Sequence, residues 1–341
     1  MKRLSDILSV ALVAIACAAC PGMAQTPEST LSWPKPPDRA RIRFEYAITG
    51  KQDVVGEKSW LRKVIDVVFG EDQETGHLLR PHAIAVDRDG RLYVTDTRAG
   101  GIHVFDREER DYRFITRDGG PAFISPVGIA IAPDGTIYCA DADLHEVLVL
   151  DHEGEYLFSI SSGLVRPTGV WISGGILFVS DAQAHQVVVY DLQGKEHYRI
   201  GRRGTASGEF NFPLAVCSNP ATYPGESADL YVVDAMNCRV QSFRKDGGFV
   251  SMFGKPGDAV GDFARPKGIA IDSEGHVYVA DALFDVIQVF DQEGRLLLSF
   301  GGSGSGIGTF SLPAGLAIDS RDRLYVVDSA NRRVQVFQYL K

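Results

Sequence analysis

PKGIAIDSEGHVYVADALFDVIQVFDQEGRLLLSFG, residues 266–301, holds the smallest complete unit of this chain. It reads as four short strands: PKGIAID (266–272), HVYVAD (276–281), VIQVFD (286–291) and GRLLLSFG (294–301). Each is rich in Val, Ile, Leu, Phe or Tyr and bounded by Gly, Asp or Pro, which is how successive antiparallel strands are punctuated. The D-x-x-G turns at 87–90 and 291–294 suit hairpins, because glycine takes the positive φ that a tight reversal needs. The same order starts at Pro81, Pro126, Pro167, Pro213, Pro266 and Pro313. Every unit ends its second strand in an aromatic-x-x-Asp tetrad: YVTD (93–96), YCAD (138–141), FVSD (178–181), YVVD (231–234), YVAD (278–281) and YVVD (325–328). Self-similarity at about forty-five residues marks a repeat architecture, and four strands per repeat predict a β-propeller, where radial repetition hides the sheet edges. The chain is therefore expected to be all-β, with six four-stranded antiparallel blades.

The sixth unit stops after its third strand, since RVQVFQYLK (333–341) ends the sequence. The missing strand is expected from RIRFEYAITG (41–50), which would close the ring by completing the C-terminal blade with N-terminal chain.

Three linkers share a spacing: GRRGTASGEFNFP (201–213), GKPGDAVGDFARP (254–266) and GGSGSGIGTFSLP (301–313). Together with the aromatic-x-x-Asp tetrads and the third strands NCRVQSF (237–243) and NRRVQVF (331–337), they resemble the NHL-repeat family over residues 41–341. That resemblance implies a six-bladed propeller, in agreement with the count made from the residues. The opening WPKPPDRARIRF (33–44) is similar to bacterial exported NHL proteins.

Two segments break the repeat. EKSWLRKVIDVVFG (57–70) spaces Trp60, Leu61, Val64, Ile65 and Val68 at helical intervals, with Ser59 able to cap its start and Gly70 its end, so an inserted helix is expected near 59–69. SNPATYPGESAD (218–229) lengthens a loop of the fourth unit and is expected at the surface.

Ahead of the propeller, Lys2 and Arg3 precede the apolar run ILSVALVAIA (7–16) and then small residues, the pattern of a secretory signal peptide over 1–24. The CAAC stretch (17–20) resembles a bacterial lipobox, with Cys20 the better lipidated residue and Cys17 the alternative; cleavage after Ala24 would instead give a soluble protein. Residues 25–40 read as a Pro-rich linker. The expected location is thus extracytoplasmic, either periplasmic or membrane-anchored. Three cysteines remain beyond the leader, Cys139, Cys217 and Cys238, of which the first two read as small core residues; a Cys217–Cys238 bridge is possible but not indicated.

A formal charge of −9 disfavours nucleic acid as a partner, because phosphate backbones are repelled unless a local basic patch outvotes the whole. The six tetrad aspartates, Asp96, Asp141, Asp181, Asp234, Asp281 and Asp328, recur once per blade. Active sites break symmetry, so these carboxylates are read as structural, accepting backbone N–H groups of their loops. Function is sought where the repeats differ. Arg80, Arg166 and Arg265 precede the starting prolines of alternate blades, and His82 and Lys267 follow theirs. Turned inward, these five would ring one channel mouth with positive charge and hold an anionic ligand or acidic tail; turned aside, each arginine would pair with a neighbouring blade's aspartate. His145 and His185 stand four residues after their tetrad aspartates, too few for a zinc site. Related propellers of the peptide-amidating lyase type hold zinc with histidines from several blades. Here the positions matching His82 carry Val127, Thr168, Leu214, Lys267 and Ala314, and no metal or cofactor is expected. The sequence points to a non-catalytic, monomeric binding or scaffold module for an envelope protein, peptide or other cell-envelope ligand. The alternative is a channel-mouth lyase or hydrolase using bound calcium or zinc.

Overall fold

Six antiparallel sheets, each begun by one of the six prolines, stand around a common axis in the computed structural model, which describes residues 31–56, 76–116, 122–218 and 230–341. Blade 5 shows the pattern: strands Pro266–Ile271, Val277–Asp281, Val286–Phe290 and Leu296–Gly301 hydrogen-bond in chain order. Inner strands Pro81–Val86, Pro126–Ile131, Pro167–Ser173, Pro213–Ser218, Pro266–Ile271 and Pro313–Ile318 each neighbour the next, and the last returns to the first. Ring closure follows the expected route. Ile42–Ile48 pairs antiparallel with Arg333–Tyr339, so both ends of the propeller share one sheet.

That sheet carries a fifth strand, Ser32–Trp33, paired with Ile42 and Arg43. The stretch expected as linker thus contributes to blade 6, and the reason is aromatic burial. Trp33 lies 5.4 Å from Phe300 and 5.8 Å from Phe337, in the core between blades 5 and 6. Such aromatic pairs contribute about 0.5–1.5 kcal/mol beyond the area they bury.

The hydrophobic core is divided into six clusters, one between each pair of adjacent blades. Because both faces of each central strand are covered, all four residues of every tetrad are buried instead of alternating. The linker motif and the third-strand motif are two halves of one clamp. Gln241, Gln288 and Gln335 accept N–H bonds from Gly208, Gly261 and Gly308 and donate to the carbonyls of Glu209, Asp262 and Thr309. The phenylalanine of each linker, Phe210, Phe263 or Phe310, is fully buried.

The expected leader 1–24 with Cys17 and Cys20, the expected helix near 59–69 and all but the first residue of the blade 4 loop lie outside the described residues. Cys139 and Cys217 are buried free thiols and Cys238 is also unbridged. Burial raises all three thiols above their ordinary range, which keeps them protonated.

Candidate functional site

The tetrad aspartates build the channel mouth without belonging to it. All six are fully buried. Asp96 accepts N–H bonds from Leu79 and Arg80, Asp181 from Val165 and Arg166, and Asp281 from Ala264 and Arg265. Each carboxylate therefore holds the backbone of the residue just before the inner strand of its own blade, the position occupied by Arg80, Arg166 and Arg265. Asp234 and Asp328 do more: each also pairs with a buried arginine, Arg239 at 2.8 Å and Arg333 at 2.7 Å. Asp141 grips Ile124 and Ser125 in the same way. Backbone N–H bonds from the loop, with the His103 Nε2 3.6 Å away, hold Asp96 down at about 2 against the burial that opposes ionisation.

Every inner strand starts with a register irregularity just after its proline. A bulge re-aims the extra residue, here the one following the proline. The free edges of the six strands, unpaired in their sheets, face the axis. They line a channel of about 1010 Å³. The strands approach so closely that a Cβ on Gly128 would stand 2.0 Å from the Thr168 carbonyl oxygen, and one on Gly268 would stand 2.1 Å from that of Ala314.

All five residues singled out from the sequence, Arg80, His82, Arg166, Arg265 and Lys267, line this channel. Two further cations join them, Arg98 and Arg332. Both come from the loops after tetrad aspartates, two and four residues on, positions that a search beside the prolines passes over. Asp143 is the one carboxylate among the described lining residues. It is already engaged, 2.9 Å from Arg166, across the boundary of blades 2 and 3. Arg166 thus takes the neighbour-pairing geometry. Arg80, Arg265 and Lys267 have no side-chain hydrogen bond or ion pair among the described residues.

The free cations converge on one side. Burial lowers the Lys267 ammonium from its ordinary range, and Arg265 and Arg80 lower it further. His82 is pushed down to about 4, first by burial and then by Lys267, with a smaller contribution from Arg80. It is therefore neutral at pH 7. Its Nδ1 lies 2.9 Å from the Val127 carbonyl oxygen, an atom that only accepts, so Nδ1 carries the proton and Nε2 keeps its lone pair. Thr168 ties blade 3 to blade 4 at the same level, through the Leu214 carbonyl oxygen at 3.2 Å.

His145 and His185 serve the ring. His145 Nδ1 is 2.5 Å from the Val165 carbonyl oxygen, and His185 Nδ1 accepts the Phe212 N–H at 3.1 Å, so each ties its loop to the next blade's linker. Both adopt a positive φ, as do Cys238, Asp285 and Arg332 at the same loop position. Among the described residues no group of three or more His, Cys, Asp or Glu is placed to hold a metal ion.

What the mouth can do chemically is present cations, partly desolvated, to a ligand that brings negative charge. The family of the scaffold follows from its repeats. The NHL repeat model matches residues 78–105, 263–285 and 310–337, in blades 1, 5 and 6, and the chain is a six-bladed β-propeller carrying NHL repeats. Among solved structures it is similar to virginiamycin B lyase from Staphylococcus aureus, at 13% identity over 76% of this chain and 95% of that one, with a TM-score of 0.56. It is also similar to a gluconolactonase from Xanthomonas campestris, at 15% identity over 76% of this chain and 86% of that one, TM-score 0.57. A chain of the nidogen/laminin complex aligns at 17% identity over 70% of this chain and 85% of that one, TM-score 0.51. These likenesses establish the fold alone. No curated protein sequence matches the chain.

Proposed function

We propose that this propeller is an extracytoplasmic binding module that takes an anionic protein, peptide or envelope ligand at the channel mouth. The observation behind this reading is the charge of the mouth. Six cationic side chains line it against one carboxylate, on a chain whose formal charge is −9. Like charges gathered without acceptors cost stability, and a site that tolerates this cost is organised for a ligand that removes it. Export rests on the leader, and a lipid anchor would place Cys20 at the mature N-terminus. The nidogen/laminin complex is a fold neighbour whose name describes an assembly of proteins, which agrees with a propeller used for binding.

Capture from solubilised envelope tests the reading. The full chain is expected to retain a partner that a combined Arg80→Met, Arg265→Met, Lys267→Met variant loses, and that rising salt releases. Identical capture by the variant would sink it.

The lyase and the gluconolactonase among the fold neighbours favour a second reading, catalysis at the same mouth. His82 is a poor base for it without help, because a group that protonates near 4 drives proton abstraction weakly at neutral pH. Metal analysis alongside activity separates the two readings: activity that is lost on chelation and returns with calcium or zinc would favour catalysis.

A further inference from the structure

Six-fold repetition makes the asymmetry of the mouth informative. Arg80, Arg98, Arg265, Lys267 and Arg332 all come from blades 5, 6 and 1. Between Lys267 of blade 5 and His82 of blade 1, blade 6 puts only the methyl group of Ala314 at the corresponding position. Ala314 is itself 2% exposed. Apolar side chains are exposed around the ring on the same loops: Ile124 is 56% exposed, Val165 42%, Phe212 40% and Met236 64% in blades 2 to 4, and Leu283 62% and Leu312 45% in blades 5 and 6.

We propose that the blade 5–6–1 side of the mouth seats the C-terminal carboxylate of a partner peptide, with the peptide's last amide N–H donated to His82 Nε2. This rests on the binding reading above and names its ligand. Three features select a peptide terminus over other anions. Arg80, Arg265 and Lys267 supply donors with no acceptor of their own among the described residues, and a carboxylate accepts from guanidinium and ammonium alike. His82 Nε2, unpartnered among the described residues while Nδ1 is bonded to the Val127 carbonyl oxygen, is free to accept a donor from a ligand. Inorganic phosphate or sulfate brings mainly acceptor oxygens to that lone pair, whereas a peptide terminus carries its N–H two atoms from the carboxylate carbon. The inner-strand edges then offer backbone N–H and C=O groups to the residues upstream, and Ile124, Val165, Phe212 and Met236 offer apolar contact to their side chains.

Fluorescence anisotropy on the full chain at neutral pH tests the seat. The probes are a labelled pool of acidic, leucine- and phenylalanine-rich hexapeptides with free C-terminal carboxylates, and the same pool amidated. The carboxylate pool is expected to bind about tenfold or more tighter than the amidated pool. Arg80→Met and Lys267→Met should each remove about tenfold of that affinity, and His82→Leu a smaller part, with melting temperature monitored to show that the variants fold. Arg244→Met, in an exposed pair with Asp246 outside the channel lining, should leave affinity within about twofold. Equal binding of the two pools, no binding of either, displacement by inorganic phosphate beyond that of chloride at equal ionic strength, or binding only to anionic phospholipid vesicles would overturn the seat. A partner captured from envelope equally by wild type and by Lys267→Met would overturn the seat while sparing the binding reading; capture of nothing by wild type would remove that reading itself.

Discussion

Blades 5, 6 and 1 and blades 2, 3 and 4 are halves of one ring built to the same plan, yet they differ in kind. The matched NHL segments all fall in the first half. There Tyr278, Tyr325 and Tyr93 each donate a hydroxyl hydrogen bond to the aspartate of the first hairpin turn: Asp272, Asp319 and Asp87. In blade 2 the equivalent Tyr138 reaches instead to the Leu192 carbonyl oxygen, in blade 3. The more regular half also carries the free cations, and the less regular half carries the neutralised Arg166, while exposed apolar groups occur in both. Regularity and function are therefore separable within one blade: hairpin turns and tetrads repeat, while the residues flanking the starting proline vary.

The largest effects should come from breaking the buried clamps, and they should differ between blades 6 and 3. Asp328→Ala strands Arg333, Asn331 and Gln335 without their shared carboxylate and should cost about 3–5 kcal/mol in urea unfolding. Asp181→Ala removes an acceptor of backbone N–H groups only and should cost about 1–3 kcal/mol. Equal losses would show that the buried ion pair adds nothing beyond the loop clamp.

Next in size is the close approach at the axis. Gly268→Ala places a Cβ against the Ala314 carbonyl and should destabilise by about 2 kcal/mol. In blade 4 the corresponding residue is already Ala215, and Ala215→Gly should cost less than about 1 kcal/mol by thermal unfolding. A benign Gly268→Ala would mean that the inner strands can separate.

Two histidines at opposite ends of the propeller should respond oppositely to pH. His82 has a folded-state value of about 4, below its ordinary 6.5, so the unfolded chain binds the proton more readily. Stability should fall by about 3 kcal/mol as pH drops through that interval, and His82→Leu should abolish this contribution. The Asp272 carboxylate raises His276, at a hairpin turn on the other face, above 6.5. Its contribution is fully present below 6.5 and is lost as pH rises through the folded value; His276→Gln should flatten that slope in urea midpoints measured across it.

The smallest expected change is at Arg166. Its pair with Asp143 is exposed, so Arg166→Met should cost no more than about 1 kcal/mol in thermal unfolding, which sets the baseline for removing a mouth cation. At Lys267 the same substitution removes a cation crowded by like charge and should raise stability slightly.

Strand spacing and the tetrads made the blades countable from sequence, because a hairpin is decided within a few residues by glycine, aspartate and alternating bulk. The closing strand could be located by elimination, since a blade lacking one strand leaves an unpaired edge. Ser32–Trp33 was not legible. Two residues carry no strand pattern, and their place depends on Phe300 and Phe337 arriving from distant repeats. Arg98 and Arg332 escaped for a related reason: they reach the mouth from loops whose separation in sequence hides their proximity to the starting prolines.

The sequence by itself determined the repeat, the blade count and the structural office of the six aspartates, because each depends on local turns and on one periodicity. Only the tertiary structure decided which of the three alternate arginines is neutralised and which remain free. It also decided that His82 keeps its Nε2 lone pair beside Lys267. Charge pairing and desolvation depend on which side chains meet across blades, and those neighbours lie 23 residues apart for Arg166 and Asp143 and 45 apart for His82 and Val127.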